Sequence, residues 1–369
     1  MTSPTPHSAL PTPHSIVIGG TIAIDHVKTP EAEAQNLLGG SAAYAALAAS
    51  FFSPSVDLIG IIGCDFPAEH LAMLESRGIS LAGVERSESE SFTWSGEYHA
   101  NMNERTTHRV GLNVLENWQV KVPAESATAR IVVLANMSPD NQLEMLAQCG
   151  IERGLRNSER GTSSVPTSDL PLPRFIIADT MDLWIEIAND RLHEVLPHLD
   201  LFVLNEGEAR DLAGTSNLVK AGRILLEKGP RNVVVKLGEF GAMLFSEVGK
   251  RNSDRGTEEK GEREEPSSSP VPRSNFPLPT SEIFRCSAFP LETLADPTGA
   301  GDTFLGGIAG YLAASGHPPY DSATLRQGIV QGSILASFTC EAFSTRRLES
   351  LDPRELQARI QSFRDLTFW

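Results

Sequence analysis

The stretch Asp296-Pro297-Thr298-Gly299-Ala300-Gly301-Asp302 gathers residue types that could hold and move a phosphoryl group. Gly299, Ala300 and Gly301 carry little or no side chain, so an anion can approach their backbone closely. An apolar, helix-compatible run follows over residues 304–314. The small residues thus fall at a helix start, where the first N–H groups lack intrahelical partners and the helix dipole is positive. Asp302 is the odd member, because a carboxylate repels phosphate. It makes sense as a general base that accepts the proton of a hydroxyl attacking phosphorus. A lone Gly-Ala-Gly-Asp would read as an N-capping Asp after a glycine turn.

Such a group needs a platform. Apolar runs at 15–20, 56–62, 129–135, 174–178, 201–204 and 232–236 read as buried strands, with another around 283–286. Helical stretches alternate with them: an Ala-rich one after Gly39 and Gly40, then 66–76, 139–149, 321–338 and 353–363. This alternation predicts a largely parallel sheet covered on both faces. In such sheets ligand groups collect just beyond the strand ends. There the chain places Asp25, Asn136, Asp179, Asn205 and Lys236. Asn205 and Glu208 share a helical face, as in a capping box or a cation site. Gly238-x-x-Gly241 reads as the turn of a β-hairpin. Residues 91–115 change texture: Phe92, Trp94, Gly96 and Tyr98 alternate, the chain turns near Asn101, and Thr106, His108 and Val110 resume the pattern. That predicts a small β-sheet standing off the main layers. Gly19-Gly20-Thr21 lacks the Gly-x-Gly-x-x-Gly spacing of a dinucleotide fold.

Asp-x-Thr-Gly-Ala-Gly-Asp-x-Phe-x-Gly-Gly, residues 296–307, resembles the C-terminal signature of the ribokinase family (PfkB-type carbohydrate kinases). Gly39-Gly40 before the Ala-rich helix resembles the family's N-terminal signature. The resemblance spans nearly the whole chain. It implies a ribokinase-like three-layer α/β/α sandwich with a small β-sheet lid, and an ATP-dependent kinase acting on an alcohol group. Asp302 is then the catalytic base and the Gly299, Ala300 and Gly301 amides the anion hole. Asp25, Gly39 and Gly40, joined by Asn136 and Asp179, face the substrate. Asn205, Lys236, Gly238, Gly241 and Thr298 face the nucleotide. Glu208 is the Mg²⁺ residue, acting through water, and a monovalent cation is left open. Tyr44 stands where many members carry a substrate-contacting Asn; it reads equally as a core aromatic. Sugar, polyol and nucleoside all fit the constellation as acceptors. A non-catalytic nucleotide-binding regulator on the same fold is the reading from a different class, and the intact Asp302 motif argues against it.

The bulk properties narrow the field. With 47 acidic against 31 basic residues the net charge is −16, which disfavours nucleic acid or an anionic membrane as partner. The four cysteines are far apart and form no zinc or disulfide pattern, as expected in a reducing cytoplasm. No apolar run approaches membrane-spanning length. Residues 1–14 are rich in Pro, Thr and Ser, without a secretory or transit pattern, and are expected to be a disordered tail. Residues 15–369 are expected to form one domain, with low-complexity insertions around 150–173 and 247–279. A homodimer through the small sheet is left open.

Overall fold

A computed structural model describes residues 16–102, 104–151, 174–247 and 281–367. Residues 1–14, 152–173 and 248–279, where a tail and two insertions are expected, lie outside the described residues. The strands of the main sheet are β1 (Ile16–Gly19), β4 (Val56–Ile62), β5 (Ile79–Arg86), β8 (Ile131–Leu134), β9 (Phe175–Asp179), β10 (Leu201–Asn205), β11 (Asn232–Lys236), β12 (Ala242–Glu247) and β13 (Ser281–Cys286). Their spatial order is β13-β12-β11-β10-β9-β8-β1-β4-β5. All neighbouring pairs are parallel except β11–β12 and β12–β13.

Strand side chains alternate between faces, and the two cores follow from this. Ile16, Ile18, Val133, Ile177, Val203 and Val234 enter one hydrophobic cluster. Val17, Val132, Leu134, Ile176, Phe202 and Val235 enter the other. The first face is covered by α1 (Ser41–Ser50), α2 (Ala68–Ser76), α8 (Ala300–Ala314), α9 (Ser322–Thr339), α10 (Arg346–Glu349) and α11 (Pro353–Thr367). The second is covered by α3 (Pro139–Gln148), α5 (Asn189–Val195), α6 (Glu206–Ala213) and α7 (Leu218–Glu227), with α4 (Asp182–Ile187) beside α5 and α6. Among the described residues no helix is long and apolar enough to cross a membrane.

A second sheet stands apart, in the order β3-β2-β6-β7. It pairs β2 (Ala23–Lys28) with β3 (Glu33–Gly39), and β6 (Thr93–Tyr98) with β7 (Arg105–Gly111), both antiparallel, while β2 and β6 run parallel. Val27, Leu37 and Tyr98 form its own small core, with Trp94 and Phe343 packed against it. The hairpin of 91–115 is therefore present, but it is half of the sheet. Asp25, expected just past the first strand, lies inside β2.

The paired glycines at the end of the 296–307 motif serve helix packing. A Cβ on Gly306 would overlap the Ala45 carbonyl, and one on Gly307 would lie 2.8 Å from the Cα of Gly332. Helices α1, α8 and α9 thus meet backbone to backbone. Gly306→Ala gains about 1 kcal/mol of helix propensity. Overpacking against a neighbouring backbone costs about 1–3 kcal/mol, at the upper end here because no flexible side chain can yield. The variant should melt at a lower temperature than the wild type. An unchanged Tm would mean that α8 is not seated on α1 in this way.

Candidate active site

Sheet order turns a scattered set of polar residues into a row. β8, β9, β10 and β11 are consecutive neighbours, and Asn136, Asp179, Asn205 and Lys236 stand at or just past their C-terminal ends. Asn205 and Lys236 are in direct register. The start of α8 faces this row, because Lys236 Nζ lies 2.9 Å from where a Cβ on Gly301 would be. A cation, the bare Gly301 and the first free amides of a helix therefore share one spot.

The cradle is held from several sides. Gly299 is the N-cap of α8, in the left-handed region with φ 75°. Its Cα rests on the ring of Tyr44, which is only 1% exposed. Asp296 is fully buried and works at both ends of its carboxylate. Oδ1 accepts from the Thr298 N–H at 2.9 Å, and Oδ2 accepts from the Ser344 N–H at 3.1 Å. The Ser344 hydroxyl in turn donates to the Leu38 carbonyl at 2.5 Å, tying the cradle to the strand that ends in Gly39. Thr298 Oγ1 donates to the Tyr98 hydroxyl at 3.2 Å, so the small sheet touches the same turn.

Besides Asp296, four acids converge here, and burial raises the pKa of each. Asp302, in the first turn of α8, is held above the usual carboxylate range, with Lys236 and Arg105 opposing the shift. Asp179 is pushed up further, by burial and then by the charge of Asp302. Its Oδ1 is buried without a hydrogen-bond partner. Glu208 is raised by burial, with Lys236 opposing. It also closes a capping box: Asn205 N–H donates to Glu208 Oε2 at 2.7 Å and Glu208 N–H donates to Asn205 Oδ1 at 2.9 Å. Both sequence readings of this pair start from that geometry.

Asp25 is raised from 3.8 to about 8, by burial and then by Asp296 and Asp302. Its carboxylate lies against the Cα of Gly39, where a Cβ would overlap it. A folded-state pKa above the unfolded value means that the proton is bound more tightly by the native protein. That stability is fully present below about 3.8 and is lost as the pH rises through about 8. Asp25→Asn cannot ionise and should lack this decline. The Tm difference between variant and wild type should widen in the variant's favour across the window. Parallel Tm–pH curves would remove Asp25 as a buried titrating group.

The remaining expected residues are placed as follows. Asn136 has its side chain engaged: Oδ1 accepts from Trp184 Nε1 at 2.8 Å and Nδ2 lies 3.1 Å from the Met181 sulfur. Gly40 is the N-cap of α1. Gly238 and Gly241 bracket the turn from β11 to β12, and a Cβ on Gly241 would overlap the Cys286 carbonyl. The backbone therefore already demands Gly241. Asp182 is the first residue of α4, and Met181 is its N-cap, with no side-chain capping bond.

The arrangement can be set beside known proteins. Residues 174–260 match the model of the pfkB family carbohydrate kinases. A cytidine kinase of Thermococcus kodakarensis is 25% identical over 297 residues, 80% of this chain and 88% of that protein. This chain is thus similar to pfkB-type carbohydrate kinases in sequence. Solved structures of ribokinase-family kinases share the fold of this chain. Ribokinase from Giardia lamblia superposes with a TM-score of 0.68 at 16% identity, covering 95% of this chain and all of that one (100%). Aminoimidazole riboside kinase from Salmonella enterica gives 0.64 at 15%, covering 94% and 99%.

Sequence reasoning missed two residues of this site. Asp296 opened the motif but received no role, although Asp followed two residues on by Thr and Gly is a turn signal. Tyr98 was seen only as one member of an alternating strand. The chemistry present fits a nucleoside triphosphate with its cation: the Gly301 backbone at the α8 start and the Lys236 ammonium suit phosphate, and the unpartnered Asp179 oxygen suits the cation's water shell. Among the described residues no three His, Cys, Asp or Glu side chains gather as a metal cage. A Mg²⁺ that keeps its waters and binds phosphate does not need one.

Proposed function

We propose that this chain is an ATP-dependent kinase that transfers the γ-phosphoryl group to a hydroxyl of a small sugar, polyol or nucleoside. The observation that carries the reading is the meeting of Asp302, the Gly299–Gly301 backbone and the Lys236 amine at the strand ends. Asp302 takes the proton of the acceptor hydroxyl, and its burial-raised pKa makes it a better base than a solvated carboxylate. The Gly299 and Gly301 amides, with Lys236, hold the charge that develops on the phosphoryl oxygens, while the Ala300 amide, expected among them, donates to the Pro297 carbonyl at 3.2 Å. Asp25, beside Gly39 and Gly40, orients the acceptor and accepts from its hydroxyls. Asn136 and Asp179 border the acceptor; Asn205, Thr298, Gly238 and Gly241 border the nucleotide. Mg²⁺, when bound, neutralises phosphate charge, and Glu208 with the unpartnered Asp179 oxygen would hold its water shell. The small sheet, with residues 91–115 as half of it, acts as a lid over the acceptor site, and the hydrogen bond that Tyr98 accepts from Thr298 draws it onto the turn. Lids of this kind exclude water and limit wasteful hydrolysis. With a net charge of −16, the partners are small cytoplasmic metabolites rather than nucleic acid or membrane.

A nucleoside acceptor is compatible with the cytidine kinase relative, so nucleosides belong in the test. ADP release should be measured with ATP and Mg²⁺ against a panel of sugars, polyols and nucleosides. Stimulation by at least one acceptor is expected. ATP binding with no stimulation by any of them would favour a non-catalytic regulator.

A further inference from the structure

The inner face of the small sheet carries a residue that the mechanism above does not use. Tyr98 closes β6 and Arg105 opens β7, and the two are directly opposite in register. Opposed residues of antiparallel strands project from the same face. Tyr98 reaches the Thr298 hydroxyl at 3.2 Å, so the face that carries Arg105 is the face turned to the cradle. The Arg105 guanidinium lies 5.9 Å from the centroid of the Trp94 ring, and Trp94 packs against the core of the same sheet. Its side chain is exposed, and among the described residues no carboxylate forms an ion pair with it. Two acids nevertheless feel its charge. It opposes the burial-driven rise of Asp302 on α8 and of Glu208 on α6. The guanidinium also hydrogen-bonds the Tyr98 side chain, whose hydroxyl meets Thr298, so it stands beside the turn that opens α8.

We propose that Arg105, held over the cradle by the Tyr98–Thr298 hydrogen bond, is a further catalytic residue that places its guanidinium on the phosphoryl group in transit. The chemistry is specific. A guanidinium is always charged and offers a planar fork that matches two phosphate oxygens. The travelling phosphoryl group must pass close to Asp302 and Asp179, which repel it. Lys236 offsets this from the sheet side, and Arg105 does so from the lid side. Because Arg105 comes with the small sheet, the second charge arrives when the site closes, which couples closure to transfer. This inference rests on the kinase reading.

The test uses the full-length chain with Arg105→Gln, Arg105→Lys and Tyr98→Phe. Melting curves check the fold; Arg105 is exposed, so little change is expected. Arg105→Gln should lower kcat by about 10²-fold or more, as for loss of one transition-state donor, with little change in acceptor KM. Arg105→Lys should fall between, since it keeps the charge and loses the fork. Tyr98→Phe should lower kcat in the same direction by a smaller factor. A second readout needs no turnover. Calorimetric affinity for β,γ-methylene-ATP should fall by about tenfold in Arg105→Gln, while affinity for ADP should hold. Wild-type kcat together with an unchanged analogue-to-ADP ratio would overturn the assignment. So would a change confined to acceptor KM, which would place Arg105 on the acceptor instead. If the wild type phosphorylates no acceptor, the kinase reading fails; the analogue-to-ADP comparison still decides whether Arg105 touches the terminal phosphoryl group.

Discussion

Replacing Asp302 by Asn should leave a folded protein that binds ATP and turns over about 10²–10⁴-fold more slowly, the usual worth of a positioned base. Asn has nearly the same shape, so the first turn of α8 and the Gly299 cap keep their geometry. What is lost is the ability to take a proton. The environment also predicts what should not be lost. Burial raises the Asp302 carboxyl, so the ionised form strains the native state. Stability from its protonated form disappears as the pH rises through its raised pKa, and the amide escapes that decline. At neutral pH the variant should melt no lower than the wild type. Its affinity for ATP should hold or improve, since a charge that repels phosphate is gone. A slow enzyme with intact Tm and nucleotide binding separates a chemical role from a structural one. Near-normal kcat would remove Asp302 from the base role.

Gly299→Ala should damage both catalysis and stability, for two independent reasons. Gly299 caps α8 at φ 75°, a region where a Cβ costs about 1–2 kcal/mol. The added methyl would also overlap the Tyr44 ring, which is 1% exposed and has no free space to retreat into. The turn must then shift. A displacement of about 1 Å at a reacting centre costs about 10²-fold in rate. Tyr44→Ala opens a cavity of its own, so the double variant should melt lower still, but by less than the sum of the two single losses, because both changes act on one contact. Kinetics and melting of the single and double variants measure this. A single variant with wild-type Tm and kcat would show that the cradle does not depend on this turn.

Much of this was legible before any coordinates. Long apolar runs marked the strands of the main sheet because, buried on both faces, they have no polar side to confuse the pattern. Residues 56–62 and 232–236 match β4 and β11 end for end. The glycine-rich motif and the Asn205–Glu208 box are local in sequence, and both folded as local structure. The misses have a common cause. β2, β3 and β5 mix exposed and buried positions irregularly, and β2–β3 and β4–β5 each contain a register shift, so alternation fails as a signal. Asp25 was therefore placed beyond a strand when it lies inside one. Contacts that shape the site span the chain: Asp296 to Ser344, Ser344 back to Leu38, and Tyr98 to Thr298. No window of sequence contains such pairs. Gly306 and Gly307 were read as part of a signature, and their physical reason became visible only once Ala45 and Gly332 stood against them.

The most direct measurement is transfer of label from γ-labelled ATP to an acceptor, run side by side with wild type and Asp302→Asn. The phosphoryl cradle with its neighbouring base predicts a labelled acceptor with the wild type. With the variant it predicts equal ATP binding and almost no label. Labelling by the variant at the wild-type rate, or ATP bound by both proteins with label passed to no acceptor by either, would contradict it.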